Sequence, residues 1–205
     1  MGKRVALIGA SGKIGSKIAA ELLSRGHTVT GIARNPERIP AQKGLTPAKG
    51  DFTEPAVLAW NLQGHDAIIS AASFIPGQAE KLIESVRQSA VKRFLMVGGA
   101  ASLKTEEGKK VIDTIQLPDA WKAPVMEGIR TLDLLRGVND FDWTFFSPAV
   151  QIGPGERTGK FRLGKDQVVK DAEGNSKISY DDYAIAMVDE LERGENRKAR
   201  FTIGY

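Results

Sequence analysis

The segment Gly9-Ala10-Ser11-Gly12-Lys13-Ile14-Gly15 spaces its glycines as G-x-x-G-x-x-G. It follows the apolar run Arg4 to Ile8 and opens a stretch in which Ile14, Ile18, Leu22 and Leu23 recur at helical spacing until Gly26. A glycine turn between a strand and a helix is suited to holding a pyrophosphate. Gly9 permits the tight turn, Gly12 removes a side chain where phosphate must approach the backbone, and Gly15 lets helix and strand pack closely. The helix N-terminus then faces the anion. The plain alternative is a tight βα turn with no ligand.

The end of the next strand selects the nucleotide. A site that prefers NAD usually places Asp or Glu there, ~20 residues past the loop, to hold the ribose hydroxyls. Here the residues are Gly31-Ile32-Ala33-Arg34-Asn35-Pro36-Glu37-Arg38. No acid stands at the strand end, and Arg34 and Arg38, with Asn35 between them, can grip a 2′-phosphate through planar, charge-assisted forks. NADP(H) is the expected cofactor, and Glu37 keeps NAD(H) possible. Asp51, followed by Phe52, is a candidate for the adenine edge, with a turn role as its alternative. Ala71, Ala72 and Ser73, and then Gly98 and Gly99, are small residues at strand ends where a flat cofactor needs close backbone approach. Plain strand termination would select the same residues.

Catalytic side chains are scarce. With no cysteine there is no thiolate nucleophile or thiolate metal site, and His27 and His65 are too isolated for a zinc centre. No metal is expected. Ser102 is the hydroxyl close behind the fifth strand that could hydrogen-bond a bound acceptor, although capping or loop packing would also explain it.

The elements that must position these residues alternate regularly. His27 to Ala33 is β-branched and closes a first βαβ unit. Ala48 to Phe52 reads as a third strand, Glu54 to Leu62 as a helix opened by Thr53 as N-cap, and Asp66 to Ala72 as a buried fourth strand. Gln78 to Ala90 is helical, Arg93 to Val97 a fifth strand, Met126 to Arg136 helical, and Trp143 to Phe146 a sixth strand stopped by Pro148. The expected fold is α/β: a Rossmann-type, doubly wound, mostly parallel sheet with helices on both faces. After Pro148, glycines punctuate short strand-like pieces before a helix at Asp181 to Glu192 and a last strand at Arg200 to Ile203. Residues 149–180 are expected to form a small C-terminal substrate cap on one domain spanning residues 1–205.

The 41% hydrophobic and 26% charged residues are ordinary globular usage. The stretch from Met1 to Gly9 runs straight into a strand with no leader pattern, and no apolar run approaches the ~20 residues of a membrane span. A cytoplasmic protein is expected, with no membrane partner. The net charge of +4 is spread among interleaved acids, so no nucleic acid is expected, and Arg193 to Arg200 reads as a solvated segment. The expected partner is a small-molecule hydride acceptor, and the chain is expected to be a monomer or homodimer.

With these residues in hand, the chain resembles the atypical short-chain dehydrogenase/reductases, specifically the NAD(P)H-binding, NmrA-like and NADH-flavin-reductase-like group. The resemblance is carried by VALIGASGKIGSKIAAELLSRGHTVTGIARNPER, DAIISAAS, RFLMVGGAAS, DWTFFSPAVQIGPGERTGKFRLGKDQ and ISYDDYAIAMVDELE. It implies that Gly9, Ser11, Gly12, Lys13, Ile14 and Gly15 contact the pyrophosphate, Arg34 the adenine ribose phosphate, Ala71 to Ser73 the ribose, and Pro148 the nicotinamide side. The chain departs from the family's catalytic pattern. Classical members carry Tyr-x-x-x-Lys, the tyrosine serving as general acid, whereas none of Tyr180, Tyr183 and Tyr205 has a lysine four residues later. The resemblance and the missing dyad together suggest hydride transfer to a flavin- or quinone-type acceptor. A non-catalytic, NmrA-like redox sensor and a sugar-nucleotide-type epimerase or dehydratase remain open.

Overall fold

The computed structural model describes residues 2–205; Met1, from which the leaderless start was read, lies outside them. Strands β1 (Arg4–Ile8), β2 (Thr28–Ala33), β3 (Leu45–Lys49), β4 (Ala67–Ser70), β5 (Arg93–Val97) and β6 (Asp142–Ser147) lie parallel in the order 3-2-1-4-5-6. Beyond β6 the sheet continues with β10 (Ala199–Gly204), parallel to it, and β8 (Arg162–Gly164), antiparallel to β10. The mostly parallel, doubly wound sheet expected from the sequence is the one observed. A separate parallel pair, β7 (Gln151–Gly153) with β9 (Lys177–Ser179), is formed from the segment after β6.

Alternation within β1 shows why its run is apolar throughout. Val5 and Leu7 enter one core, beneath α1 (Lys13–Ser24) and α5 (Tyr180–Arg193), while Ala6 and Ile8 enter the other. That second core is covered by α2 (Pro55–Leu62), α3 (Ala79–Gln88) and α4 (Asp119–Arg136). A strand covered on both faces has no solvent side, so polar alternation disappears. In the first core Phe146 lies between Tyr183 and Phe201, with ring centroids 4.2 and 4.0 Å away. Helix α5 begins on Ser179, whose Oγ accepts from the Asp182 amide at 3.0 Å, and ends at left-handed Gly194.

Several boundaries differ from the sequence reading for local reasons. The third strand begins three residues earlier than expected, at Leu45, because Gly44 turns the chain with φ +86° and Leu45 buries beside Val29. Pro47 is tolerated because β3 is an edge strand. Thr53 does not cap α2: Glu54 precedes the helix without a capping side chain, Pro55 supplies a preset φ, and the Thr53 amide donates to Asp51 Oδ1 at 2.8 Å. Helix α4 starts at Asp119 rather than Met126 and runs through Pro124, which deprives one carbonyl in its early turns of a donor. The segment Arg193 to Arg200 is not uniformly solvated, since the Arg200 side chain is 4% exposed.

Candidate functional site

The order in which strands are added to the sheet reverses between β1 and β4, the switch point where open α/β sheets bind ligands. A cavity opens there at the carboxyl ends of the strands. Its walls are Ile8, Gly9, Ser11 and Gly12 from the β1–α1 turn, Ile32, Ala33 and Arg34 after β2, and Gly50, Asp51 and Phe52 after β3. Ala71, Ala72 and Ser73 follow β4, and Leu58 and Ile75 complete the wall.

The glycine turn is shaped by close contacts. Gly9 has φ +82°, and a Cβ there would lie 2.8 Å from the Ala71–Ala72 backbone. A Cβ on Gly15 would lie 2.1 Å from the Gly9 carbonyl oxygen, so this glycine sets the approach of helix to strand. Gly12 is the N-cap of α1 and no side chain caps the helix, leaving its first-turn amides available to an anion at the cavity. These features fit a dinucleotide pyrophosphate.

Arg34 stands exposed on the rim, and among the described residues no carboxylate pairs with it. Asn35, which precedes the single helical turn Pro36–Arg38, and Arg38, which ends it, do not line the cavity. Asp51 serves the turn through Oδ1, the atom that accepts from Thr53, and also faces the cavity. Lys13 is exposed in the first turn of α1, and Ile14 packs against the core.

A second cavity, of about 360 Å³, adjoins the first and shares Ser73 with it. Its walls are Phe74, Gly99, Ala100, Ala101, Ser102 and Val111, then Ile115 and Leu117, then Trp121, Pro124, Val125, Gly128 and Ile129 of α4, with Val150. The size falls within the ~300–1,000 Å³ of small-molecule sites. Apart from the Ser73 and Ser102 hydroxyls the lining side chains are apolar, with no Tyr, Lys, His, Asp or Glu. Gly128 makes room for Phe74, whose ring a Cβ would approach to 3.1 Å. The loop carrying Ser73 and Phe74 is fastened by Glu127 Oε1, which accepts from the amides of Gly77 (3.1 Å) and Ala79 (3.2 Å).

The structure does not bring every expected residue to these cavities. Gly98 is buried, and a Cβ there would lie 2.3 Å from the Phe145 ring, so packing explains it. Pro148 is buried and lines neither cavity. The tyrosines are committed elsewhere: the Tyr183 hydroxyl donates to the Phe146 carbonyl at 2.6 Å, and its complete burial holds the phenol well above its ordinary pKa. Tyr205 donates to Asp182 Oδ2 at 2.8 Å, and Tyr180 begins α5 away from both cavities.

Residues 9–193 match the profile of the NAD(P)H-binding family. The chain belongs to that family. This NAD(P)H-binding chain is 37% identical to the uncharacterised protein YwnB of Bacillus subtilis (strain 168) over 210 residues, covering 98% of this chain and 97% of the relative. A solved structure from Bacteroides thetaiotaomicron, provisionally named an epimerase, is 40% identical with a TM-score of 0.93, covering 100% and 98% of the two chains. Another, from Streptococcus pneumoniae and provisionally named an NADH-flavin reductase, is 34% identical with a TM-score of 0.81, covering 99% of each.

Sequence reasoning missed Phe74 and the α4 wall. The signal was there: Trp121, Val125, Gly128 and Ile129 share one helical face, extending the periodic pattern back through Pro124. Among the described residues no helix is long and apolar enough to cross a membrane.

Proposed function

We propose that the chain is an NADPH-dependent reductase that passes hydride to a flat, conjugated acceptor of the flavin or quinone type. The observation that carries this reading is the apolar cavity beside the nucleotide cavity, walled by Phe74, Trp121 and Val125 and without a general acid. When bound, the cofactor supplies the hydride. The protein would orient both partners: the β1–α1 turn would hold the pyrophosphate, Ser73, which lines both cavities, would stand between the two ligands, and the apolar α4 face would form one wall of the acceptor site. Reducing a ketone generates an alkoxide that needs a positioned acid, a contribution of ~10²- to 10⁴-fold. A flavin or quinone spreads the incoming charge over its ring system and takes its proton from water. The provisional name of the pneumococcal relative agrees with this chemistry. An epimerase using a tyrosine dyad finds no tyrosine at either cavity wall.

The test is NADPH consumption with FMN, riboflavin and small quinones beside a panel of aldehydes and ketones. Turnover is expected with the first group and little with the second. Fast ketone reduction without flavin or quinone activity overturns the reading, and tight NADPH binding without any turnover favours a sensor. Cofactor choice rests on the unpaired Arg34. Calorimetry should find NADPH bound at least tenfold more tightly than NADH, in line with the ~1.5–3 kcal/mol of a hydrogen bond to a charged group. In Arg34→Glu that preference should disappear; equal affinities in the parent protein sink the phosphate assignment.

A further inference from the structure

A buried guanidinium must be compensated on every arm. Arg200 of β10 donates from Nε to Asp166 Oδ1 at 2.8 Å, and its Nη2 reaches the same oxygen. Asp166 is 58% exposed at the protein surface, and the hydrogen bond from Arg200 holds its carboxyl below the ordinary range. The remaining arm, Nη1, donates to Ser102 Oγ at 3.2 Å. Ser102 lines the second cavity, and among the described residues no group accepts its own hydrogen.

The surrounding backbone fixes this arrangement. Lys104, two residues beyond Ser102, donates its amide to the Asp166 carbonyl at 2.8 Å, and its own carbonyl accepts from Val168 at 2.9 Å. In the sheet Arg200 stands beside Phe145, whose ring stacks on Phe74 of the cavity wall. The charge therefore lies behind the Ser102 end of a cavity that is apolar apart from the Ser73 and Ser102 hydroxyls, and of the two only Ser102 accepts from a cation.

We propose that Arg200 is a positioning residue that makes the Ser102 hydroxyl an anion donor for the second cavity, which then favours planar ligands bearing an oxyanion on the ring. This deepens the reading of that cavity as the acceptor site and rests on it. Because Ser102 Oγ accepts from a cation, its hydrogen is directed outward and polarised, and the bond it gives to an oxyanion is strengthened. A reduced quinone or flavin carries such a charge before protonation, so the pair would replace part of what the absent tyrosine supplies.

The test needs no turnover. 4-Nitrophenol is a flat ring whose phenol and phenolate differ in colour, so its ionisation can be read while it is bound. Titrated against pH, the bound probe should ionise about one unit lower than the free probe, a tenfold preference for the phenolate. Ser102→Ala and Arg200→Met should remove that preference, and Arg200→Lys should restore part of it. A strut that merely ties residues 166–168 to 102–104 would alter thermal stability but not the probe's ionisation. Should Arg200→Met fail to fold, Ser102→Ala and Arg200→Lys decide the matter alone. Equal affinity for the two forms, a preference that survives Ser102→Ala, or no binding at all overturns the proposal. A phenolate preference without turnover of any flavin or quinone would leave the anion donor standing and remove the reductase reading.

Discussion

Gly98 and Gly99 are neighbours at the end of β5 and look interchangeable in sequence, yet a methyl group on each would meet different surroundings. On Gly98 it would lie 2.3 Å from Phe145, whereas on Gly99 its nearest contact, with Phe74, is an ordinary 3.9 Å. Gly98→Ala should destabilise the fold by about 1–3 kcal/mol through overpacking, while Gly99→Ala should leave the thermal midpoint nearly unchanged; a differential melting experiment compares them directly. The contrast marks what the sequence can disclose at this scale. At Gly9 the left-handed φ of +82° belongs to the turn itself, so the G-x-x-G-x-x-G spacing carries that part of the requirement for glycine. The requirement at Gly98 comes from a ring on another strand, and Ser102's cationic partner comes from β10, so neither could be read locally. Arg200, set among charged residues, offered no sign that it would be buried.

At the scale of elements, alternating apolar runs made most of the sheet legible, because buried parallel strands and amphipathic helices have different periods. The half of α4 before Met126 was not, since Pro124 stands where a helix would be expected to stop. That half provides one side of the second cavity, and Trp121, 63% exposed, has little other structural work. Trp121→Ala should therefore raise the KM for the acceptor about tenfold, equivalent to ~1.4 kcal/mol, while leaving NADPH affinity as it was. Steady-state kinetics alongside cofactor calorimetry would separate the two effects; a parallel loss of cofactor affinity would mean that the helix supports the whole site. The third strand was misplaced for a different reason: the left-handed turn at Gly44 starts it early, and Phe52, apolar enough to look like strand, instead packs beside the cavity.

Taken as a whole, the molecule uses carboxylates in two ways: Glu21 and Glu192 fasten the C-terminal segment to the nucleotide-binding half, and Asp182 ties that segment together. Burial pushes the Asp182 carboxyl up, but hydrogen bonds from Thr158, Gly159 and Tyr205 outweigh it, leaving Asp182 below its ordinary 3.8. Burial likewise opposes ionisation of Glu21 and Glu192, and both are still lowered from 4.5, by Arg157 with Arg25 and by His27 with Arg25 respectively. Each group has a folded pKa below its unfolded one. Its stabilisation is therefore complete above the unfolded value and is lost as pH falls through the folded value. Urea midpoints should stay level from pH 7 to about 5 and decline below about 4, and Asp182→Asn should flatten part of that decline. An unchanged midpoint at pH 3 would show these contacts to be energetically idle.

The shared wall at Ser73 has a practical consequence. Two adjoining compartments with a common residue can be filled by one two-headed inhibitor, an adenosine diphosphate joined by a short tether to a flat aromatic ring. Once the nucleotide end is seated, the ring would meet its compartment at an effective concentration in the millimolar range. The joined compound should then hold far more tightly than either fragment, with the best tether the shortest that reaches past Ser73.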